Sequence, residues 1–165
     1  MNSRNHNDNS NSTIIIKGNG SGITAEMTVA AGTERVWRIL TSFDEMDSHL
    51  SGITTSKVLT REGNYLLVEQ RTKVGISLLS LTFRVLMEVV EDRPFLYFNQ
   101  RKGSFATFRG HWRVEPESEG KGTRIRYYLE ASLAKSIGGG QLGHRLIRQN
   151  LQQLAAWIDN LPVTH

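Results

Sequence analysis

The chain has 165 residues, no cysteine and a formal net charge of +4. This length suits one domain with its own core, and the lack of cysteine excludes disulfides, thiolate zinc sites and cysteine nucleophiles. The mild positive charge is compatible with anionic partners but does not require one.

The first 13 residues are rich in Asn and Ser, so we expect a disordered tail at 1–13 and a single domain at 14–165. No apolar run reaches the ~18 residues of a membrane-spanning helix, and the amino terminus lacks a signal-peptide pattern, which favours a cytoplasmic protein. Residues 23–29 alternate as a strand does, and the glycine-rich stretch 18–22 predicts a turn or loop beside it.

Two short helices are predicted next. Val36, Trp37 and Leu40 recur at helical spacing, and a second short helix follows, where Ser42 and Glu45 have the spacing of a capping box. Period-two alternation then dominates, broken by short turn signals that favour antiparallel neighbours. The predicted strands of this region are 53–60, 65–74, 78–91, 95–102, 105–115 and 123–134.

The closing segment, from about residue 138 to 161, carries its apolar residues on one broad face and predicts a long amphipathic helix. A sheet with one apolar face needs a cover, and this helix is the predicted cover. The order of elements therefore indicates an α+β fold: one strand, two short helices, six further strands and one long helix.

The stretch FRGHWRVEP, residues 108–116, tests whether the sheet could hold nucleic acid. A nucleic-acid platform presents aromatic and basic side chains on the same surface. Alternation sends Phe108 and Trp112 to one face and Arg109 and Arg113 to the other. Glu130 shares the arginine face, which favours cross-strand charge pairing, so nucleic acid is not an expected partner.

Two further patterns invite a functional interpretation. Gly138, Gly140 and Gly143 spell GxGxxG, but the acidic residue at the right distance, Asp159, falls inside the closing helix instead of after a second strand, so a glycine hinge is the preferred interpretation. No histidine has a second ligand at helical spacing, so neither a metal nor a cofactor is predicted. His49 ends the second short helix and is open to two interpretations, an acid/base group or a surface histidine.

The segment VAAGTERVWRILTSFDEMDSHLSGI, followed by GHWRVEP, GTRIRYYLEA and the closing helix, resembles the polyketide cyclase/dehydrase family of the START-like (SRPBCC, helix-grip) superfamily. The likeness extends from about residue 23 to 161. It implies a curved antiparallel sheet of about seven strands wrapped around the long carboxy-terminal helix, with two short helices after strand 1 and a cavity between sheet and helix. The family shares no universal catalytic set, so no catalytic residue is carried over. Many members have Pro where this chain has Ser51.

The first functional hypothesis is a binding or carrier protein for a hydrophobic or amphipathic small molecule, such as a lipid, a quinone or an aromatic polyketide. Mostly apolar walls with few polar groups are typical of such sites, and Tyr127 and Asn150 would be the polar groups. The same residues also fit a solid core, and that alternative stays open. The predicted cavity-lining residues are Phe83, Met87, Phe98, Phe108, Trp112, Tyr127, Leu146 and Asn150.

Two other hypotheses remain. A cyclase/dehydratase-type enzyme would act on a ligand in the same cavity, with Tyr127, His49 or Arg71 as the group that moves protons. An interaction protein would use the basic sheet face or the helix to contact an anionic membrane peripherally. The sequence carries no signal for an oligomeric state.

Overall fold

A computed structural model of the chain describes residues 13–19, 22–76, 78–133 and 140–160. Within these ranges the protein consists of eight strands and three α-helices, with a 3₁₀ turn at Phe43–Glu45. The helices are α1 (Thr33–Leu40), α2 (Met46–His49) and α3 (Gly140–Asn160), and the strands are β1 (Ile15–Asn19), β2 (Gly22–Val29), β3 (Ile53–Glu62), β4 (Tyr65–Ile76), β5 (Leu79–Asp92), β6 (Phe95–Gly103), β7 (Phe105–Pro116) and β8 (Thr123–Leu133).

All eight strands form one antiparallel sheet in the order β1-β2-β8-β7-β6-β5-β4-β3. Strands β3 to β8 follow each other as a meander, and β2 pairs with β8. Register shifts in β3, in β6 at Arg101 and near the start of β7 bend the strands. The expected curved sheet with a long closing helix is thereby confirmed.

One strand more is present than the sequence predicted. Residues 15–19 form β1, which pairs with β2 at the edge of the sheet, so the two short helices follow strand 2 and not strand 1. The β-branched run Ile14–Ile16 suits an edge strand. At Gly18, φ is +135° and a Cβ would lie 2.2 Å from the carbonyl oxygen of Gly22, so only glycine allows the hairpin to close this tightly.

The core is densest at the end of the sheet that carries the connections 63–64, 93–94 and 117–122, which we call the closed end. The face of the sheet that packs against the helices, here the inner face, is almost fully buried there: Leu66 and Val89 are 0% exposed and Ile125 is 1% exposed. Ile39 of α1 and Ile158 of α3 belong to the same core. The opposite end carries the segment 50–52, the β4–β5 connection and Ser104, and we call it the open end.

The predicted capping box at Ser42 and Glu45 is wrong. The Ser42 hydroxyl donates to the carbonyl oxygen of Arg38 at 2.6 Å, so it satisfies the end of α1 and does not cap the next helix. The carboxylate of Asp44, in the 3₁₀ turn, accepts a hydrogen bond from the backbone amide of Val58 at 2.8 Å. This contact occupies an outward amide of the edge strand β3, which would otherwise be free to pair with another chain.

Several sequence predictions fall on residues outside the described ranges. The predicted tail at 1–13 does so except for its last residue, and so does Gly138, the first glycine of GxGxxG. Gly140 and Gly143 lie within α3. No helix of the described ranges combines the length and the apolar character that crossing a membrane requires.

Candidate ligand-binding site

A continuous series of ring contacts crosses β5 to β8 on the inner face. Ring centroids lie 5.3 Å apart in Phe83–Phe105, 5.0 Å in Phe105–Phe108 and 5.6 Å in Phe98–Phe108. The series continues from Phe98 to Tyr127 at 6.0 Å and from Tyr127 to Trp112 at 4.2 Å. We call these six residues the inner aromatic cluster: Phe83, Phe98, Phe105, Phe108, Trp112 and Tyr127.

Strand register explains why these rings meet. Trp112 and Tyr127 are directly opposite in the β7–β8 pair, and Phe98 is opposite Gly110 in the β6–β7 pair, so their side chains share one face. A Cβ on Gly110 would lie 1.9 Å from the carbonyl oxygen of Tyr128 and 2.7 Å from the Phe98 ring. Glycine at this position therefore allows the Phe98 ring and the β8 backbone to approach β7.

On β5 to β8, burial of the inner face falls from the closed end to the open end, whereas Val74 near the open end of β4 is 2% exposed. Phe83, Phe105 and Phe108 are only half-buried although they lie on the face that packs against the core. The backbone of α3 comes closest to β1, β2, α1 and α2, and it lies farther from the middle strands β5 to β7. These three rings therefore keep accessible surface on the inner face at the open end.

Tyr127 combines enclosure with an available polar group. Burial raises the pKa of its hydroxyl well above the usual range, so the hydroxyl stays protonated at neutral pH. The residue nevertheless keeps accessible surface, and no group in the described ranges hydrogen bonds to the hydroxyl. Tyr127 thus offers a neutral hydrogen-bond donor in an apolar surrounding.

Two of the predicted residues, Leu146 and Asn150, lie on α3. Asn150 is half-buried beside Leu151, and its Oδ1 would lie 3.4 Å from a Cβ on Gly52, so it faces the segment between α2 and β3. Leu146 is half-buried one turn earlier in α3. Met87 lies deeper, 5% exposed on β5, and belongs to the packed core.

Five of the eight predicted lining residues therefore belong to the inner aromatic cluster, and the sequence missed one member, Phe105. Simple alternation from Phe108 would place Phe105 on the outer face. The register shift between Phe105 and Thr107 turns its side chain inward, against Phe83 and Phe108. A bulge of this kind leaves no mark in the alternation pattern, so we see no sequence signal that would have found it.

The other polar groups of the inner face near the cluster are neutral, and two of them are occupied by the protein. The Gln70 amide donates to Ser56 Oγ at 3.0 Å and lies 3.4 Å from Met46 Sδ. The Gln100 side chain bonds both backbone groups of Phe105, at 2.9 Å and 3.3 Å. Their hydrogen bonds hold the strands in place, whereas the side chains of Tyr127, Asn150 and Thr72, which is opposite Phe83, have no hydrogen bond within the described ranges.

A set of contacts fixes the segment 50–52 to α3 beside the site. The Ser51 backbone amide donates to Gln153 Oε1 at 2.8 Å, and the Gln153 amide donates back to Ser51 Oγ at 2.7 Å. Gln149 donates to the same hydroxyl at 3.3 Å. Ser51 therefore uses a backbone N–H that a proline at this position would lack.

The remaining two candidates for moving protons lie away from the cluster. His49 is exposed and its ring stacks on Trp157, with centroids 4.1 Å apart, on the side of α3 that faces α2. The prediction of Arg71 as a cavity group is wrong, because Arg71 lies on the outer face of β4, opposite Arg84 of β5. Tyr127 is thus the one of the three that belongs to the inner aromatic cluster.

The outer face of β2, β8 and β7 carries the predicted cross-strand charge pairs, which the structure confirms. Arg109 bonds Glu130 at 2.9 Å and Arg126 bonds Glu26 at 3.0 Å. The separation of aromatic from basic side chains predicted from 108–116 does not extend to the whole sheet, because β6 and β8 each carry aromatic residues at consecutive positions. Ring contacts on the outer face join Phe95, Tyr97, His111 and Tyr128.

Comparison with known proteins identifies relatives of the whole architecture. The family described as polyketide cyclase / dehydrase and lipid transport matches residues 29–155. A comparison with curated proteins gives no match.

Solved structures repeat this fold. A Thermus thermophilus protein is 26% identical, with a TM-score of 0.69 over 84% of this chain and 94% of its own. The Zhui aromatase/cyclase of Streptomyces sp. R1128 is 13% identical, with a TM-score of 0.69 over 84% of this chain and 93% of its own. A STAR-related lipid transfer protein of Xanthomonas axonopodis is 14% identical, with a TM-score of 0.67 over 89% of this chain and 93% of its own.

Proposed function

Since the chain belongs to the polyketide cyclase / dehydrase and lipid transport family, we propose that it binds and carries a hydrophobic or amphipathic small molecule between its sheet and α3. The observation that carries this proposal is the inner aromatic cluster, in which every ring except that of Phe98 stays half-buried on the face that packs against the core. Similar structures named as a lipid transfer protein and an aromatase/cyclase support a guest of this apolar class.

The chemistry of the cluster narrows the guest further. Aromatic pairs contribute about 0.5–1.5 kcal/mol beyond the burial of their area, which favours a flat, ring-containing molecule over a purely aliphatic one. The Tyr127 hydroxyl, protonated at neutral pH, suits a carbonyl or hydroxyl oxygen on that molecule. A quinone or an aromatic polyketide meets both requirements, whereas an acyl lipid, through its carbonyl oxygens, meets only the second.

Extraction of the purified protein tests the proposal. We expect organic solvent to release an apolar molecule in stoichiometric amount, and native mass spectrometry to show its mass on the folded protein. After extraction, the neutral dye Nile red should bind the refolded protein with one site. A protein that carries nothing and gives Nile red no saturable site would contradict the proposal.

A space-filling variant provides the matched control. Ala131 lies opposite Phe108 on the inner face, so Ala131→Phe should fill the space beside the cluster and reduce Nile red binding at least tenfold, by an order-of-magnitude estimate of lost pocket contacts. Ala106→Phe places the same ring at an exposed position and should bind as the wild type does. Circular dichroism should show that both variants fold. Equal binding by the two variants would place the guest elsewhere.

The alternative is a cyclase/dehydratase-type enzyme acting on a ligand at the same cluster, which the family's description favours. Tyr127 would then donate a hydrogen bond to a carbonyl oxygen of the ligand and polarise it, because its raised pKa keeps the hydroxyl protonated and makes it a weak acid. Incubation with a linear poly-β-ketone distinguishes the two functions. A carrier returns the ketone unchanged, whereas an enzyme produces a cyclised product with loss of water and loses this activity in Tyr127→Phe.

A further inference from the structure

Basic side chains gather at the open end on two neighbouring hairpins. The segment 70–87 contains no Asp or Glu, and neither does the segment 99–114. The first spans most of β4 and β5, and the second spans the end of β6 and most of β7. The basic residues near the open end of these strands are Arg71, Lys73, Arg84, Arg101 and Lys102.

These cations differ from the other arginines of the outer face, which are paired with glutamates. Among the residues that the structure describes, the only carboxylate within 4.0 Å of these cations is that of Glu88, 4.0 Å from Arg101. Arg71 and Arg84 are directly opposite each other in the β4–β5 pair. Like charges opposite each other across strands destabilise a sheet, so an anionic partner would relieve a cost that the free protein bears.

A fully exposed leucine lies beside the same charges. Leu78, in the β4–β5 connection, is 100% exposed. The sequence from Val74 to Leu81, VGISLLSL, has no charged residue. A single exposed leucine is ordinary in itself, but here it stands at the tip of a long hairpin whose strands carry unpaired cations.

We propose that the open end docks on an anionic lipid bilayer. Leu78 enters the boundary between headgroups and acyl chains, and the basic residues of the two hairpins lie over the anionic headgroups. Each Lys or Arg close to such a surface strengthens binding about fivefold. Nucleic acid is a poorer match, because the aromatic residues of the outer face lie among arginines that glutamates already neutralise.

Docking of this kind goes beyond the proposed function and is separable from it. It brings the open end, and with it the half-buried side of the inner aromatic cluster, toward the lipid. Vesicle binding itself requires no guest, so a protein without a guest that still binds vesicles would leave the docking proposal intact and refute only the carrier.

Vesicle flotation tests the charge part of the proposal. The wild type should float with vesicles of three parts phosphatidylcholine to one part phosphatidylglycerol, should not float with pure phosphatidylcholine, and should release as salt rises. Lys73→Glu changes the local charge by two units and should weaken binding about 25-fold. Lys121→Glu makes the same change at an exposed position of the closed end and should bind as the wild type does.

A fluorescent label tests the insertion of the tip. The chain has no cysteine, so Leu78→Cys and Leu59→Cys each accept one NBD group, the second at an exposed position on β3. The label at 78 should brighten and shift to the blue with anionic vesicles, and the label at 59 should not. The proposal is overturned if the wild type does not bind anionic vesicles, or if Lys121→Glu weakens vesicle binding as much as Lys73→Glu does. It is also overturned if the labels at 78 and 59 respond alike. Binding of a single-stranded oligonucleotide that depends on Lys73, without binding of vesicles, would overturn it as well.

Discussion

Tyr127 and Tyr128 show that adjacent residues of one strand can have different surroundings. The two residues are neighbours in β8, yet Tyr127 contacts Trp112 on the inner face and Tyr128 contacts His111 on the outer face. Burial raises the pKa of Tyr127 and no other cause contributes, which identifies its surroundings as apolar. The pair therefore provides its own control for experiments on the site.

Removal of the Tyr127 hydroxyl should affect binding and not folding. Tyr127→Phe deletes a donor without a protein partner in the described ranges, so the free energy of unfolding should be unchanged or slightly higher. Affinity for a guest with a carbonyl oxygen should fall about two- to tenfold, the value of one hydrogen bond. Titration of such a guest into the extracted proteins measures the affinities of the wild type and of Tyr127→Phe. Tyr128→Phe should leave the affinity unchanged. A larger loss in Tyr128→Phe would contradict the assignment.

The same tyrosine predicts how stability changes in alkali. A hydroxyl whose folded pKa exceeds the unfolded value of about 10 holds its proton longer in the folded state, so its contribution is complete below pH 10 and is lost as the pH rises further. Urea unfolding between pH 9 and about pH 11.5 should show the wild type losing more stability than Tyr127→Phe, by up to about 1.4 kcal/mol per pH unit. Tyr65, whose pKa burial also raises, is common to both proteins and cancels. Parallel curves would refute the enclosure of Tyr127.

Gly110 lies on β7 at the centre of the inner aromatic cluster, where the neighbouring β8 backbone leaves no room for a side chain. A methyl group there would meet the Tyr128 carbonyl oxygen at 1.9 Å, so Gly110→Ala should force β7 and β8 apart and lower the free energy of unfolding by about 1–3 kcal/mol. Gly75→Ala is the control, because a Cβ there meets nothing within 4 Å. Chemical denaturation of the two variants gives the comparison, and equal stabilities would show that the strands adjust without cost.

Among the elements, α3 is attached to the rest of the protein by different contacts on its two sides. Toward β1, Arg148 donates to the backbone carbonyl of Ile14 at 3.2 Å. Toward α2 and β3, exposed hydrogen bonds from Gln149 and Gln153 reach Ser51, and the Trp157 ring stacks on His49. The hydrogen bonds on both sides are exposed, so water competes with them and each secures its segment only locally.

Loss of Gln153 should therefore loosen a segment without unfolding the protein. Gln153→Ala removes two hydrogen bonds to Ser51 and should cost about 1 kcal/mol or less of global stability. Amide hydrogen exchange at 50–52 should accelerate severalfold, whereas Gln152→Ala, an exposed neighbour, should leave that exchange unchanged. Unchanged protection of 50–52 in Gln153→Ala would show that other contacts hold the segment.

The elements differ in how far their sequences determine them. Strands β3 to β8 and helix α3 carry long periodic patterns, and these predict the elements because a half-buried face imposes its period on the sequence. Strand β1 has only five residues, and its partner β2 lies across a glycine-rich stretch, so a loop was the simpler interpretation. The inward turn of Phe105 depends on a bulge, which pairing with β8 creates and no local pattern encodes.

For the molecule as a whole, the candidate site follows from the sequence in outline only. Alternation on single strands predicts that Phe98, Trp112 and Tyr127 face inward. It cannot predict that Met87 is fully covered while Phe83 is not, because coverage depends on where α3 crosses the sheet. The gradient of burial between the two ends is a property of the assembled sheet and helix.

The gradient of burial should be visible in the amide hydrogen exchange of the intact protein. Backbone amides around Leu66, Val89 and Ile125 should exchange only by global unfolding, since these residues are at most 1% exposed. Amides at the open end, around Phe83 and Phe105, should exchange faster by local opening, and a bound guest should slow them selectively. Mass spectrometry of peptic fragments resolves the two regions, and uniform exchange across the sheet would contradict the division.

The separation of a tightly packed end from a loosely packed one also bears on how such proteins diverge. Residues that secure the fold and residues of the proposed site occupy different stretches of the same strands, so selection can alter the latter while the former keep the chain foldable. Proteins that share this architecture at 13% identity, under names as different as aromatase/cyclase and START superfamily protein, are the outcome that such a division of labour permits.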